Sequence, residues 1–419
     1  MDWEKRVLEV LEASRPDPWE PPNWRAALDL YAELSTAEAS RLDQTLLRMI
    51  DLTYRNPHAE PVEGVSLPNG MRPGDLLCLE AAVLVAAERG LAGAFFPFNR
   101  LLRTPTWHPL SSSMHWLGNT ALNVQRKLAL TRAGRYLGAL LGLAAGDALG
   151  ATLEFMTREQ VKARYPEGHR DLLGGGPFNW APGAWTDDTQ MAACVARGIL
   201  KSSTDPVPAV GEEFMAWFKA GPADVGSTIR RALSLYSRLG SWEAVSQQIW
   251  AEMGERAGGN GALMRTLPAH LAYGPTDRRP REIGWMTHPT EDSDEALVCY
   301  GTVLASLLAG GSKEEAFGAL PPRYDWTQSA PPPSSGYVWD TLRAALWALW
   351  HGQTLEETLI LATNLGDDAD TVGAVVGGLA GAHWGPLAIP RRWSLKLEGR
   401  AELEALAEGL WTLSSTDAV

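Results

Sequence analysis

Cysteine is scarce in this chain: Cys78, Cys194 and Cys299 are the only three in 419 residues. An odd, scattered set builds neither a disulfide framework nor a Cys-x-x-Cys metal clamp, so a reducing cytoplasm is the expected compartment. Basic charge is also short. With 37 Lys and Arg against 50 Asp and Glu, the net charge is −13, and no basic stripe offsets it locally. Direct binding to a nucleic-acid backbone is therefore not expected. The start, Met1-Asp2-Trp3-Glu4-Lys5, lacks the basic n-region and apolar run of a secretory signal. The longest uncharged apolar stretch, 371–389, is rich in glycine and opens directly behind Asp367, Asp368 and Asp370, so it reads as a buried helix and no membrane partner is expected. Period-2 alternation bounded by turn dipeptides is almost absent, which leaves an all-α fold.

What the chain does have falls into two textures. The first 130 residues read as helices separated by proline-rich turns, roughly Trp3–Ala13, Trp24–Leu34, Ala37–Tyr54 and Leu76–Arg89. Ser35-Thr36-Ala37-Glu38 has the form of a capping box, and nothing in this region spaces acids, histidines or cysteines as ligands. We read 1–130 as a helical accessory domain of unknown role. From about Arg132 small residues and glycine dominate, and every chemically suggestive motif follows, which makes 131–419 the expected catalytic domain. Further helices are expected at Asp187–Lys201, Glu212–Ala220, Thr228–Leu239, Trp242–Glu252, Asp294–Leu308, Val338–His351 and Ala401–Leu413. Capping boxes at Ser312-Lys313-Glu314-Glu315 and Thr354-Leu355-Glu356-Glu357 predict helix starts at Lys313 and Leu355.

Two glycine ladders stand out. Gly138, Gly142, Gly146 and Gly150 recur every fourth residue, as do Gly373, Gly377 and Gly381. At about 3.6 residues per turn each set shares one helix face, a groove into which another backbone can press. Each glycine costs a helix roughly 1 kcal/mol relative to alanine, so such runs call for compensation by close packing, or else mark two ordinary core helices.

Two acidic motifs precede small-residue helices. Trp185-Thr186-Asp187-Asp188-Thr189 taken alone is explained by Thr186 as an N-cap, with aspartates at the positive helix end. Asp367-Asp368-Ala369-Asp370-Thr371 repeats the arrangement far down the chain. Together Thr186, Asp187, Asp188, Asp368, Asp370 and Thr371 offer six oxygen-bearing side chains, the donor type that suits magnesium or manganese rather than zinc. Four carboxylates buried without cations would repel one another strongly. Two ions about 3.5–4 Å apart can clamp neighbouring oxygens of one substrate, such as a vicinal sugar diol.

The order of motifs resembles the ADP-ribosylglycohydrolases, in particular the dinitrogenase reductase-activating glycohydrolase branch. The resemblance runs from about Arg132 to Pro390. It rests on Gly142-Leu143-Ala144-Ala145-Gly146-Asp147-Ala148-Leu149-Gly150-Ala151-Thr152-Leu153-Glu154-Phe155-Met156, the Thr186-Asp187-Asp188-Thr189 motif, Gly259-Asn260-Gly261-Ala262-Leu263-Met264-Arg265, Thr287-His288-Pro289 and Asp368-Ala369-Asp370-Thr371-Val372-Gly373. It implies an all-α, orthogonally packed domain carrying two Mg2+ or Mn2+ ions that hold the ribose of ADP-ribose. The metal ligands it implies are Thr186, Asp187, Asp188, Asp368, Asp370 and Thr371. Glu154 is implied near the scissile bond, as a catalytic residue with the metal-held Asp187 and Asp368. Asn260, Gly261, Met264, Arg265 and His288 are implied to line the ADP-ribose cleft, with backbone amides suited to the diphosphate.

Asp147 is either a metal ligand or, as its place on a glycine-rich helix favours, a structural hydrogen-bond acceptor for backbone or a neighbouring motif. Arg265 is either a phosphate partner or a salt-bridge residue. Where the family usually has Gly-Gly before its second set of ligands, this chain has Gly366-Asp367. The extra carboxylate either shifts the ligand register, binds a water beside the ions or faces solvent. The expected activity is removal of ADP-ribose from a modified target, foremost ADP-ribosyl-arginine on protein, with serine-linked, nucleobase-linked or small-molecule ADP-ribose conjugates as other candidates. The alternative from a different class is an immunity or ADP-ribose-binding protein that blocks or senses ADP-ribosylation without turnover.

Overall fold

A computed structural model describes residues 36, 39–40, 43–44, 46, 83–87, 89–102, 125–321 and 326–416. The expected helices Trp3–Ala13 and Trp24–Leu34 lie outside these residues. Ala37–Tyr54 and Leu76–Arg89 fall there only in part; the described positions 39–40, 43–44, 46 and 83–87 are helical. The chain divides into two compact units, Met1–Gly134 and Arg135–Val419. In the first, a short 3-10 turn at Ala92–Ala94 leads into a helix at Phe95–Leu102, and Arg89 pairs with Asp43 at 3.0 Å.

Nine helices carry the argument about the second unit: α1 (Arg132–Gly150), α2 (Asp187–Lys201), α3 (Pro206–Lys219), α4 (Ser227–Leu239), α5 (Glu291–Leu308), α6 (Val338–His351), α7 (Leu355–Thr363), α8 (Ala369–Trp384) and α9 (Arg400–Thr416). No strand occurs among the described residues; the nearest approach is two isolated bridges, Gly175 with Trp180 and Gly259 with Tyr337. The fold is all-α. Local chemistry set most boundaries where the sequence predicts them: α2 and α6 match to the residue. Two helices begin well before the expected residue, and α4 and α9 begin one residue early. Helix α3 starts at Pro206, because proline fits the first turn of a helix where its missing N–H is no loss. Helix α5 starts at Glu291, because Thr290 is the N-cap and accepts from Ser293 N. The box at Ser312 closes on both sides, whereas at Thr354 only half forms: Thr354 caps Glu357 N, but the Glu357 carboxylate takes Gln353 N instead. No helix among the described residues is long and apolar enough to cross a membrane; the glycine-rich 371–389 segment is mostly α8, buried from Ala369 to Ala382.

Both ladders are one contact. A Cβ added at Gly138 would collide with the carbonyl oxygen of Gly381, one at Gly142 with that of Gly377, one at Gly146 with that of Gly373, and one at Gly150 with that of Ala369. The reverse holds for Gly373, Gly377 and Gly381 against Gly146, Gly142 and Gly138. Helices α1 and α8 therefore run antiparallel with backbone against backbone. Around this pair α5, α6 and α7 pack on α8, while α2 packs on α3 and α9. The antiparallel register brings the C-terminal end of α1 beside the N-terminal end of α8, the two ends that carry the acids.

This contact predicts an asymmetric response to one methyl group. Gly146→Ala should destabilise by about 3 kcal/mol or more, the upper end for overpacking, because two backbones rather than side chains must separate. Gly318→Ala, where an added Cβ meets nothing within 4 Å, should stay within about 1 kcal/mol of the parent chain. Urea unfolding of both variants tests this, and equal tolerance at the two sites would refute the backbone zipper.

Candidate active site

Helix α1 ends by anchoring the start of α2. The buried Asp147 carboxylate accepts from Thr186 N at 2.9 and 3.1 Å, from Thr189 N at 3.1 Å and from the Thr189 hydroxyl at 2.5 Å. Through these donors Asp147 positions the first acidic motif. Thr186 is both cap and site residue. Its oxygen receives Asp188 N at 3.4 Å, and its hydroxyl donates to Asp188 Oδ2 at 2.9 Å. From α8, the Thr371 hydroxyl reaches the same oxygen at 3.5 Å, tying the two motifs together.

The acids then crowd. Oxygens of Asp147, Asp188 and Asp370 lie within 4.8 Å of one another, as do those of Glu154, Asp224 and Asp370. Asp188 Oδ1, Asp370 Oδ1 and Glu154 Oε2 are buried with no hydrogen-bond donor among the described residues. Burial, and then the neighbouring carboxylates, hold Asp187, Asp188 and Asp370 well above the usual carboxylate range. Burial followed by the charges of Asp224, Asp368 and Asp187 pushes Glu154 up to about 9, while burial opposed by four hydrogen bonds leaves Asp147 at about 6. Buried, unsatisfied, mutually repelling oxygens with no lysine among them form a donor set suited to hard divalent cations. The two groups of acids share Asp370.

A cleft of about 810 Å³ opens over these groups. One wall is the Gly259-Asn260-Gly261 turn, zipped to the segment around Gly336: Asn260 N donates to Gly336 O, and Val338 N to Gly258 O. The Asn260 amide donates to Thr341 Oγ1 at 2.8 Å and to Asp368 Oδ2 at 2.7 Å, which aims the first acid of the second motif. Asp368 N is held by Ser334 O. Behind the turn a relay sets a tautomer. Arg265, a pure donor, gives a hydrogen bond to Thr287 Oγ1 at 2.7 Å, and that hydroxyl lies 2.6 Å from His288 Nδ1. The hydroxyl proton therefore points to Nδ1, leaving the hydrogen of a neutral imidazole on Nε2. Burial, reinforced by the Arg265 charge, lowers His288 to about 3, so the ring is neutral. Glycine at 261 is required because a Cβ there would meet His288 Cε1 at 2.6 Å.

Residues 129–418 match the ADP-ribosylglycohydrolase family. The chain belongs to that family. It is 33% identical to ADP-ribosylarginine hydrolase Tri1 of Serratia proteamaculans (strain 568), over 73% of this chain and 85% of the relative. It is 38% identical to ADP-ribosyl-[dinitrogen reductase] glycohydrolase of Rhodospirillum rubrum, over 64% of this chain and 92% of that protein. Among solved structures it is similar to an ADP-ribosylglycohydrolase-related protein complex, with TM-score 0.58 and 38% identity, over 68% of this chain and 99% of the other.

Of the residues singled out in the sequence, Glu154, Asp187, Asp368, Asp370, Thr371, Asn260, Gly261, Met264 and His288 line the cleft, with Thr186 and Asp188 buried beneath. Arg265 is the exception. Its guanidinium is fully buried, donates to the carbonyls of Gly261, Ile283 and Gly284, and stacks on Phe214 at 5.2 Å. It is neither a phosphate partner in the cleft nor half of a surface salt bridge; it braces the Asn260 turn and orients His288. Asp367 faces solvent on the cleft rim, with φ of +53° after Gly366 at +78°, so the backbone here takes two left-handed residues in succession.

Sequence reading missed Asp224. It stands in Gly221-Pro222-Ala223-Asp224-Val225-Gly226, a turn without periodicity or ligand spacing, yet it is half-buried in the cleft wall against Asp187. Ser335 and Gly336, just after the prolines 331–333, also line the cleft and were equally silent.

The raised acids predict a pH trend for the metal-free protein. A carboxyl whose folded pKa exceeds its unfolded value leaves the native state holding more protons, so stability falls as pH rises through the folded pKa. With Asp147 near 6 and Glu154 near 9, the melting temperature in EDTA should drop from about pH 4, the ordinary carboxylate range, to about pH 9, with Asp147 contributing only up to about pH 6. Added Mg2+ or Mn2+ should raise it and flatten the slope. Melts indifferent to both pH and EDTA over that window would contradict the cation-binding reading of the cluster.

Proposed function

We propose that this chain hydrolyses the N-glycosidic bond joining ADP-ribose to an arginine side chain of a modified protein, with two Mg2+ or Mn2+ ions held by Thr186, Asp187, Asp188, Asp368, Asp370 and Thr371. The observation that carries this reading is the convergence of Glu154, Asp224 and Asp370 oxygens within 4.8 Å at the floor of the cleft. Relatives named for ADP-ribosylarginine and for ADP-ribosyl-dinitrogen reductase support the linkage. The cleft wall supports it independently: Glu154, Asp187, Asp224, Asp367, Asp368 and Asp370 line it, and no lysine or arginine does among the described residues. Such a wall favours a cationic leaving group. It leaves the diphosphate to backbone amides, at the Gly259–Gly261 turn and at the first turn of α4, whose N-cap Gly226 supplies no side-chain cap.

When bound, the cations would polarise the ribose diol and a water molecule, and stabilise developing negative charge. The chain's own groups handle the protons. Glu154, buried beside the cluster at the cleft floor, would protonate the departing guanidine nitrogen as the C–N bond breaks. Asp224, less buried and beside Asp187, is placed to take the proton of the water whose oxygen bonds to the anomeric carbon. His288, neutral with its hydrogen on Nε2, serves as a hydrogen-bond donor near the Gly261 turn. All lining residues fall between 154 and 371, which supports 131–419 as the catalytic domain, and the few scattered cysteines support a cytoplasmic location.

Release of ADP-ribose from ADP-ribosyl-arginine, followed with magnesium, with manganese and with EDTA, tests the reading. Activity is expected with either metal and lost in EDTA. Asp224→Asn and Glu154→Gln should each lower kcat by about 10²–10⁴-fold while calorimetry still detects ADP-ribose binding. Tight binding of ADP-ribose by the parent chain without release from any conjugate would replace this reading with a sensor or immunity role.

A further inference from the structure

One side chain in the cleft wall is held in an unfavourable place twice over. Phe155 is 68% exposed, although a ring of that size is normally buried, and its backbone has φ of +62°, a region that suits glycine. Its neighbours do not share this exposure: Leu153 and Glu154 are buried, and Met156 packs against Leu153 and Val161. The strain is locked from both sides. Phe155 N donates to Asp367 O at 2.8 Å and Asp367 N donates to Met156 O at 2.7 Å, and Asp367 is itself left-handed. Two strained non-glycine residues thus brace each other, and the ring is presented at the cleft wall next to Glu154 instead of turning inward. Strained conformations persist where the surrounding structure over-determines them, and an exposed aromatic held this way is preorganised for a contact the free protein lacks.

The chemistry of that contact is set by the surroundings. The wall carries six carboxylates, and the two most open to solvent are Asp224 and the rim residue Asp367. An aromatic face in an anionic cleft attracts a planar cation, and guanidinium stacks on such a face while carboxylates meet its edge. We propose that Phe155 is the specificity-determining residue for the leaving group: its ring takes the guanidinium of the arginine that carries ADP-ribose, with Asp367 supplying negative charge at the rim. This rests on the reading of the chain as an arginine-directed hydrolase. It assigns to the Phe155–Asp367 part of the wall the role of recognising what is cleaved from ADP-ribose rather than ADP-ribose itself.

Phe155→Gly is a clean test because glycine relieves the positive φ while removing the ring, so urea unfolding should show no loss of stability. The KM for an arginine-ADP-ribosylated peptide should rise roughly 3- to 30-fold, the range a cation–π contact spans, with kcat nearly unchanged because the contact is present before and during reaction. Inhibition by free ADP-ribose, which has no guanidinium, should keep its constant. Phe155→Tyr should restore most of the KM. A KM that does not move in Phe155→Gly, or an equal loss in the inhibition constant of ADP-ribose, overturns the assignment while leaving the hydrolase reading intact. Absence of release from the arginine conjugate by the parent chain overturns both.

Discussion

Backbone contact between α1 and α8 is the constraint on which the rest of this catalytic unit depends. Carbonyl oxygens of one helix sit where side chains of the other would begin, from Gly138 with Gly381 to Gly150 with Ala369. No other residue type permits that approach, and helix propensity is sacrificed along both elements to reach it. The return is positional. An antiparallel pair this close leaves little freedom for axial sliding, so Asp147 at one end of α1 and Asp370 at the start of α8 are brought into the same cluster as Asp188. Asp147 then fixes α2 through Thr186 and Thr189, and three helix ends converge on one set of oxygens.

That convergence concentrates charge that the free chain does not neutralise with nearby side chains. Burial and mutual repulsion raise every acid of the cluster, and three oxygens lack donors. Among the described residues, the fully buried Arg265 is lowered to about 9 by its own burial and interacts with Asp187 through space. Its hydrogen bonds go to carbonyls and to Thr287, so it contributes positive potential and rigidity from behind the wall without entering the cleft. Local rules of folding are broken where chemistry is done: acids buried together, an aromatic exposed, Phe155 and Asp367 left-handed. They hold because the zipper and the paired loops over-determine the backbone.

The cleft consequently separates its tasks by type of group. On the proposed reading, carboxylates from α2, α8 and the loops after α1 and α3 would address cations and protons, while glycine-rich turns and the uncapped start of α4 would offer N–H groups. Asn260 links the two sets, since its amide nitrogen joins Thr341 to Asp368.

Much of this was legible in the sequence, for physical reasons that differ by feature. Helix starts were readable where caps are local chemistry: Thr186, Ser241 and Ser312 each bond an amide two or three residues on. The glycine ladders announced a groove because periodicity maps directly onto a helix face, and the paired acidic motifs announced a shared site because their donor types and order resemble a known family. What sequence could not supply was anything decided by residues far apart. That the two ladders are partners, that Arg265 turns onto carbonyls away from the cleft, that Asp224 joins Glu154 and Asp370 from a featureless turn, and that Gly366 and Asp367 are successive left-handed residues are all consequences of long-range packing. Spacing along the chain specifies which face a side chain occupies on its own element. Only tertiary structure specifies what that face meets.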